Sequence, residues 1–254
     1  MRSLQRTVIF GATSAIAHAT ARRLVASGAS VHCIARNRAK LDSLLQDLRV
    51  RAGTAAGAPC IGGECADLDD YSLHAGLLAR ADAALGGIDA VLVAHGCLPD
   101  QQACAASVPL MLAQWTTNGG SAMAILALAA NLLQPRGQGV LAAIGSVAGD
   151  RGRQSNYMYG TAKGALAIYL QGLRHRLAPH GVAVLTIKPG FVDTPMTDGL
   201  DKGGPLWASA DTVAAGIVAA MRRGQAQAYL PGFWRYIMLA IRLAPDAVFH
   251  RTRL

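Results

Sequence analysis

The sequence predicts one α/β domain in which a doubly wound parallel sheet carries helices on both faces. Short apolar runs with strand character alternate with longer stretches of helical spacing. These runs are apolar throughout, which is typical of parallel strands that helices cover on both sides. No Pro-rich or Ser-rich linker divides the 254 residues, so a single domain is expected over residues 1–254.

The first elements are a strand, a tight turn, a helix and a second strand. Thr7–Phe10 is an apolar run that ends in Gly11, and Ser14–Ala26 repeats apolar residues at helical spacing. Gly28 ends this helix, and Val31–Ala35 follows as the second strand. The chain therefore opens with a βαβ unit.

Three later runs continue this alternation and are expected to be buried strands. They are Asp89–Ala94, Val140–Ile144 and Val182–Ile187. The chain changes character from Tyr229, where large apolar residues are mixed with Arg235, Arg242 and Arg253. Residues 229–254 are therefore expected to form an apolar, basic C-terminal helical extension.

The charge balance favours anionic ligands. The chain has 24 Lys and Arg against 15 Asp and Glu, a formal net charge of +9. Its basic residues are scattered, with no zinc-finger spacing and no basic heptad region. A nucleic-acid partner is therefore not expected.

Cysteine usage and the chain start indicate a cytoplasmic protein. The five cysteines form no CxxC pair and have no histidine spacing that suits zinc, so free thiols and no metal are expected. The N-terminal residues lack the apolar run of a secretory signal. No stretch is long enough to be a transmembrane helix.

The turn after the first strand is a candidate phosphate site. Small residues between Phe10 and Ala17 allow backbone N–H groups and a helix N-terminus to approach a pyrophosphate. The candidate ligands are Gly11, Thr13, Ser14, Ala15 and Ile16. A tightly packed strand–helix junction without a ligand is the alternative.

The end of the second strand bears on the choice of dinucleotide. Arg36 stands where an acidic residue would favour NAD, and its guanidinium suits a 2′-phosphate. With Asn37 it indicates NADP(H), while NAD(H) stays an alternative because the surrounding residues are also basic. Asp67 and Leu68 follow a further candidate strand, which lies between Val31–Ala35 and Asp89–Ala94, and are placed to contact the adenine.

Tyr159 and Lys163 are candidate catalytic residues. Their four-residue spacing places a phenol and an ammonium on one helix face, where the cation is expected to lower the pKa of the phenol. Ser146 closes the Val140–Ile144 strand at the edge where open α/β sheets bind ligands. A YxxxK pattern alone is common on exposed helices.

The whole set resembles the short-chain dehydrogenase/reductase family. Ser146 precedes Tyr159 by thirteen residues, Asn118 lies earlier, and Lys188–Thr194 is similar to the family's PGxVxT segment. Two departures are Ala15 and Ala17 in the glycine motif, and the sequence VAHG at 93–96 where the family commonly has NNAG. His95 is accordingly expected to be structural.

The resemblance implies a Rossmann fold, hydride transfer between nicotinamide and a carbonyl or alcohol carbon, and a role for each matching residue. Tyr159 would exchange the proton of the substrate oxygen, Ser146 would hold that oxygen, and Lys163 would bind the nicotinamide ribose. Asn118 would anchor a proton-carrying water. Further implied cofactor contacts are Ala94, Gly96, Pro189, Gly190, Val192 and Thr194.

Candidate substrate residues follow Ser146. Arg151 and Arg153 are placed to bind an anionic group, or else belong to a solvated loop, and Tyr157 is expected to line the pocket. Residues 195–207 lie where the family keeps a mobile lid.

The tail is similar to that of a subgroup containing decaprenylphosphoryl-2-keto-ribose reductase. GATSAIA, AHG, DRGRQSNY and FWRYIM carry this second resemblance, which implies a polyprenyl-phosphate keto-sugar as substrate and peripheral membrane contact through the tail. Packing of the tail on the body or on another subunit is the alternative.

Other functions stay open at this stage. The chain is alternatively a soluble reductase of small ketones or 3-oxoacyl groups, or a dinucleotide-binding regulator with little turnover. The intact Asn118, Ser146, Tyr159 and Lys163 set argues against the regulator. The family resemblance also implies a homodimer or homotetramer.

Overall fold

The computed structural model describes residues 1–199 and 201–251, and these residues form the predicted doubly wound fold. Seven parallel strands lie in the order β3-β2-β1-β4-β5-β6-β9, and β7 and β8 form a separate two-stranded ribbon. The strands are β1 Arg6–Phe10, β2 Ser30–Ala35, β3 Ile61–Cys65, β4 Ala90–Val93, β5 Gly139–Ile144, β6 Val182–Pro189, β7 Phe191–Asp193, β8 Trp207–Ser209 and β9 Gln227–Leu230.

Helices cover both faces of the sheet. They are α1 Ala15–Ala26, α2 Arg38–Ala52, α3 His74–Leu85, α4 Gln101–Ala106, α5 Val108–Trp115, α6 Ser121–Leu133, α7 Tyr157–Leu177, α8 Ala210–Arg223, α9 Trp234–Leu243 and α10 Asp246–Phe249. One core layer joins the sheet to α1, α2 and α8, and the other joins it to α3, α6 and α7. Because both faces are covered, the central strands are apolar throughout, as the sequence predicts.

The strand order reverses beside β1. The chain runs outward from β1 to β3 and then crosses to β4 on the other side of β1. This crossing opens a crevice at the carboxyl ends of β1 and β4, the place where doubly wound folds bind ligands. Gly11 follows β1 and Gly96 follows β4, so both candidate cofactor turns lie beside this crevice.

The C-terminal region differs from the expected extension. Tyr229 and Leu230 belong to β9, the edge strand that pairs with β6, so the predicted boundary at residue 229 cuts through the sheet. The short apolar run of β9 is continuous with the apolar tail, which hides the strand in the sequence. Helix α9 buries Trp234 and Met238 against the body of the domain. Arg253, with residues 252 and 254, lies outside the described residues.

No helix within residues 1–199 or 201–251 combines the length and the apolar character needed to cross a membrane.

Candidate active site

Ser146 opens the loop that follows β5. Its side chain caps a 3₁₀ turn, Val147–Asp150, and its oxygen accepts a hydrogen bond from the Ala148 N–H at 3.1 Å. We call residues 146–153 the Ser146 loop. The turn fixes the serine side chain at the carboxyl edge of the sheet, as the sequence predicts.

Three glycines bring the Ser146 loop against helix α7. A methyl group at Gly149 would lie 2.7 Å from the Gly164 nitrogen, and one at Gly160 would lie 2.9 Å from the Ala148 carbonyl oxygen. The loop backbone therefore rests directly on the helix backbone on either side of Lys163. This contact brings the Ser146 hydroxyl within hydrogen-bonding reach of the Tyr159 phenol.

Tyr159 and Lys163 form the centre of the site. The Lys163 ammonium lies 5.7 Å from the centre of the Tyr159 ring, and it donates a hydrogen bond to the Ile144 carbonyl oxygen at 3.1 Å. Burial raises the pKa of Tyr159 to about 12, although the hydrogen bond with Ser146 acts in the opposite direction. Burial also lowers the pKa of Lys163 to about 8.

The expected lowering of the Tyr159 pKa is therefore not observed. The cost of burying a phenolate exceeds the stabilisation that the hydrogen bond with the Ser146 hydroxyl provides. A phenol with a pKa of about 12 keeps its proton at neutral pH. The site is thus set up to donate a proton to a substrate oxygen.

Asn118 lies in a π-helical turn, Thr116–Gly120, between α5 and α6. Such turns are rare and occur frequently at functional sites. The buried side chain accepts a hydrogen bond from the Cys97 N–H at 2.9 Å and donates one to the Gln114 carbonyl oxygen at 3.2 Å. Asn118 and Lys163 meet at Gly96, where a methyl group would lie 2.8 Å from the Asn118 Oδ1 and 3.3 Å from the Lys163 Nζ.

The turn after β1 fits the pyrophosphate of a dinucleotide. Gly11 has φ +78°, and a methyl group on it would lie 2.4 Å from the His95 backbone nitrogen, so only glycine fits. The Gly11 and Ala12 N–H groups bind the Ile34 carbonyl oxygen, which ties the turn to β2. Ser14 caps α1, and its oxygen accepts a hydrogen bond from the Ala17 N–H at 3.3 Å.

Thr13, Ala15 and Ile16 are small or partly exposed side chains around the amino end of α1. The positive end of the helix dipole there favours a phosphate, so the residues present fit the group that the fold implies.

Arg36 is an exposed cation on the adenosine side of the crevice. Arg36 is exposed directly after β2, whereas the Asn37 oxygen caps α2 through the Lys40 N–H at 2.9 Å. Asp67 is exposed and accepts a hydrogen bond from the Asp69 N–H. Leu68 is buried, and its carbonyl oxygen accepts a hydrogen bond from the Ser121 hydroxyl.

His95 has a structural environment, as the sequence predicts. Its Nε2 lies 3.0 Å from the Ser121 hydroxyl, and burial lowers its pKa to about 3. The imidazole is therefore neutral and holds the end of β4, next to the buried Ala94, against α6.

The comparisons with known proteins agree with this geometry. A family model described as short chain dehydrogenase matches residues 5–204. The chain belongs to the short-chain dehydrogenase/reductase family. It is therefore an oxidoreductase that acts on a CH–OH group, and the family binds NAD(P)(H).

Relatives and solved structures cover most of this short-chain dehydrogenase/reductase. An uncharacterized oxidoreductase of Mycobacterium tuberculosis is 35% identical over 244 residues, which cover 96% of this chain and 95% of the relative. The crystal structure of levodione reductase has a TM-score of 0.82 at 19% identity, covering 93% of this chain and 99% of that one. An actinorhodin polyketide ketoreductase with NADPH has a TM-score of 0.78 at 23% identity, covering 92% and 98%.

The family's PG segment lies at the end of β6. Pro189 closes this strand, and Val192 is buried in β7. The side chain of Thr197 bonds the Thr194 N–H at 3.2 Å and the Val192 carbonyl oxygen at 2.8 Å, which fixes the 3₁₀ turn that follows. We call residues 189–194 the Pro189 segment. Leu200, within the predicted lid, lies outside the described residues.

The two loop arginines have different surroundings. Arg151 Nη1 donates to the carbonyl oxygens of Ile241 and Ala244, and its Nη2 pairs with Asp246 at 2.6 Å. Arg151 is thus engaged by the C-terminal region, which the sequence did not indicate. The Arg153 Nη2 contacts the Met238 sulfur at 3.5 Å, and its buried Nε has no hydrogen-bond partner within residues 1–199 and 201–251.

Several residues of the site were missed in the sequence. The Cys97 thiol donates to the Gln114 Oε1 at 2.9 Å beside Asn118, and its place next to Gly96 was the available signal. Asp150 forms a buried ion pair with Lys188, 2.5 Å from Oδ1 to Nζ. Asp150 begins the DRGRQSNY stretch and Lys188 begins the Lys188–Thr194 segment, but neither stretch indicates that the two side chains pair.

Replacement of Tyr159 by phenylalanine is expected to remove the proton donor. General acid catalysis typically contributes about 100-fold to 10,000-fold, so kcat for ketone reduction should fall by a comparable factor while NADPH binding is retained. Tyr169→Phe, on the same helix and away from Ser146, is the matched control. Wild-type turnover in purified Tyr159→Phe would refute the assignment.

The pH dependence of reduction is expected to follow Lys163. Tyr159 stays protonated up to a pKa of about 12, whereas Lys163 loses its charge above its pKa of about 8. In measurements from pH 6 to 10, kcat/KM should be level in the acid range and decline above pH 8. Lys163→Arg retains the positive charge, so the residual kcat/KM of this variant should not decline above pH 8. If the variant shows the same decline as the wild type, Lys163 is not the group whose titration causes it.

Proposed function

We propose that the protein is an NADP(H)-dependent reductase of a keto-sugar carried on a polyprenyl phosphate. The observation that carries the reductase assignment is the meeting of Ser146, Tyr159, Lys163 and Asn118 at the carboxyl edge of the sheet. The substrate assignment is supported by a basic cavity beside this site and by the exposed face of α9. Both are described below.

NADPH supplies the hydride, and the protein supplies the proton and the positioning. The Tyr159 phenol donates its proton to the substrate oxygen, and the Ser146 hydroxyl holds that oxygen as charge develops on it. Lys163 provides a positive charge beside the phenol and lies where the nicotinamide ribose is expected. Asn118 holds a water molecule that returns protons towards Lys163, which it meets at Gly96.

The preference for NADP(H) is supported by Arg36. Its exposed guanidinium follows β2 with no acidic side chain at that position. Gly11, Thr13, Ser14, Ala15 and Ile16 surround the pyrophosphate position, and Asp67 and Leu68 lie on the adenine side. The side-chain and backbone carbonyl oxygens of Asn37 accept hydrogen bonds from the Lys40 and Leu41 N–H groups, so its contact with the cofactor would be made through the side-chain amide nitrogen.

A cavity of about 620 Å³ extends from the Ser146 loop towards α10. It is lined by Arg151, Gly152, Arg153, Gln154, Tyr157, Asp246, Phe249 and His250. The Arg153 guanidinium, whose buried Nε has no hydrogen-bond partner in the described part of the chain, would bind an anion there. Part of the Ser146 loop and the first residue of α7 line this cavity, so it borders the two elements that carry Ser146 and Tyr159.

The outer face of α9 supports the proposal that the protein acts at a membrane surface. Tyr236 is 72% exposed, Leu239 52% and Leu243 74%, and the exposed Arg235 lies on the same helix. Apolar side chains beside arginine suit the interface of an anionic membrane. We place the protein in the cytoplasm at the membrane surface on this basis.

A homodimer or homotetramer is part of the proposal. Helices α5 and α7 expose Val108, Leu112 and Ile168, which form apolar surface beside the active-site helices. Association through these helices would cover that surface.

Arg36→Asp is expected to reverse the cofactor preference. A hydrogen bond to a charged group contributes about 1.5–3 kcal/mol, so KM for NADPH should rise at least about tenfold while KM for NADH does not. Arg38→Gln, an exposed arginine that pairs with Asp42, is the control. Equal loss with both cofactors would mean that Arg36 does not bind the 2′-phosphate.

The substrate is tested by NADPH oxidation with three classes of ketone. The panel contains a polyprenyl-phosphate keto-sugar, the free keto-sugar and a 3-oxoacyl ester. We expect turnover of the first, and Arg153→Met should raise its KM about tenfold or more without changing that of the free sugar. Arg223→Met at the end of α8 is the control. Preference for the ester would favour the small-ketone reductase instead.

Membrane contact is tested with the outer face of α9. Burying a large apolar side chain contributes about 1.5–3 kcal/mol, so Tyr236→Ser and Leu239→Ser should each weaken binding to phosphatidylglycerol vesicles about tenfold. Val50→Ser, exposed on α2, should have no effect. If all three variants sediment with vesicles like the wild type, α9 does not contact the membrane.

A further inference from the structure

We infer that helix α9 is a positioning element of the active site, and that its buried face holds the Ser146 loop and the Pro189 segment in fixed relative positions. The inference rests on the catalytic roles proposed above and not on the identity of the substrate. The Ser146 loop holds the substrate oxygen and the Pro189 segment borders the nicotinamide. The distance between these two segments therefore controls the geometry of hydride transfer.

Trp234 fixes the Pro189 segment. A methyl group at Gly190 would lie 1.9 Å from the Trp234 indole nitrogen, so the indole rests directly on the glycine backbone. The indole also contacts the Phe191 ring edge to face, with 5.2 Å between ring centres. Phe191 in turn stacks on Trp207 in β8 at 5.3 Å.

The same helix holds the Ser146 loop. Val147, the residue after Ser146, packs in one buried cluster with Trp234 and Met238. Farther along the loop, Arg151 donates to the carbonyl oxygens of Ile241 and Ala244 at 2.5 Å each. These carbonyls are at the C-terminal end of α9, where a helix leaves acceptors free and favours a cation.

A buried charge network beneath α9 links the two loops directly. The Asp150 carboxylate pairs with Lys188 at 2.5 Å through Oδ1 and accepts a hydrogen bond from the Tyr229 hydroxyl at 2.7 Å through Oδ2. Lys188 immediately precedes Pro189 and pairs in register with Tyr229 across β6 and β9. A satisfied buried ion pair of this kind allows little displacement of either loop, because separating the partners would leave charges unpaired.

The two faces of α9 allow the inference to be tested separately from membrane binding. Trp234, Met238 and, in part, Ile237 and Ile241 face the loops. Tyr236 and Leu239 are exposed on the same helix. Inner-face variants should therefore alter the active site, and outer-face variants should leave it unchanged.

The first measurement needs no substrate and no cofactor. Hydrogen–deuterium exchange is followed in peptides covering residues 146–154 and 189–194. Trp234→Ala and Met238→Ala should increase exchange in both peptides, and the milder Tyr229→Phe should do so in at least the first. Tyr236→Ala and Leu239→Ala, as controls, should exchange like the wild type.

The second measurement is single-turnover reduction of whichever ketone of the panel above the wild type reduces fastest, with NADPH and with NADPH deuterated at the transferred position. Misplacement of reacting groups by about 1 Å costs on the order of 100-fold, so the inner-face variants should reduce the hydride-transfer rate by about 10-fold to 100-fold. Their isotope effect should increase, with NADPH affinity nearly unchanged. Trp234→Phe should restore much of the rate.

Two outcomes would overturn the inference. One is unchanged exchange in both peptides for folded Trp234→Ala and Tyr229→Phe. The other is a rate loss that scales only with the folded fraction and leaves the isotope effect unchanged. Failure of the keto-sugar in the ketone panel would refute the proposed substrate without affecting either measurement.

Discussion

The active site depends on a backbone contact between the Ser146 loop and helix α7. Gly149, Gly160 and Gly164 carry no side chain, and the loop therefore lies on the helix within hydrogen-bonding reach of Tyr159. A Cβ at any of these positions would press the loop and the helix apart. The same packing buries Lys163 and half-buries Tyr159, so one contact influences both the distances and the protonation states of the site.

Much of the fold and of the catalytic set could be predicted because the signals are local. Parallel strands covered on both faces leave apolar runs, and the spacing from Tyr159 to Lys163 is one helical turn. The family match confirms the oxidoreductase and the Rossmann sheet, and the exposed position of Arg36 agrees with its predicted place after β2. The roles of these side chains stay predictions.

Other features depend on contacts between distant parts of the chain. The pKa of Tyr159 was expected to be low from the neighbouring cation, but the surrounding protein, which the spacing does not reveal, raises it. Asp150 and Tyr229 are separated by 79 positions and meet only because β9 joins the sheet beside β6. Arg151 was expected in a substrate pocket or a solvated loop; it lines the proposed cavity, and its guanidinium is also held by a carbonyl group ninety residues later, which the sequence did not indicate.

The position of β9 and α9 in the chain affects the order of folding during synthesis. A ribosome delivers β1 to β6, with Ser146, Tyr159 and Lys163, before Tyr229, Trp234 and Met238 emerge. Until then the Asp150 carboxylate lacks the hydrogen bond from Tyr229, and Gly190 lacks its contact with the Trp234 indole. A nascent chain can therefore contain every catalytic residue while the Ser146 loop and the Pro189 segment still lack their contacts with β9 and α9. The site reaches its final geometry only after these last elements have been synthesised.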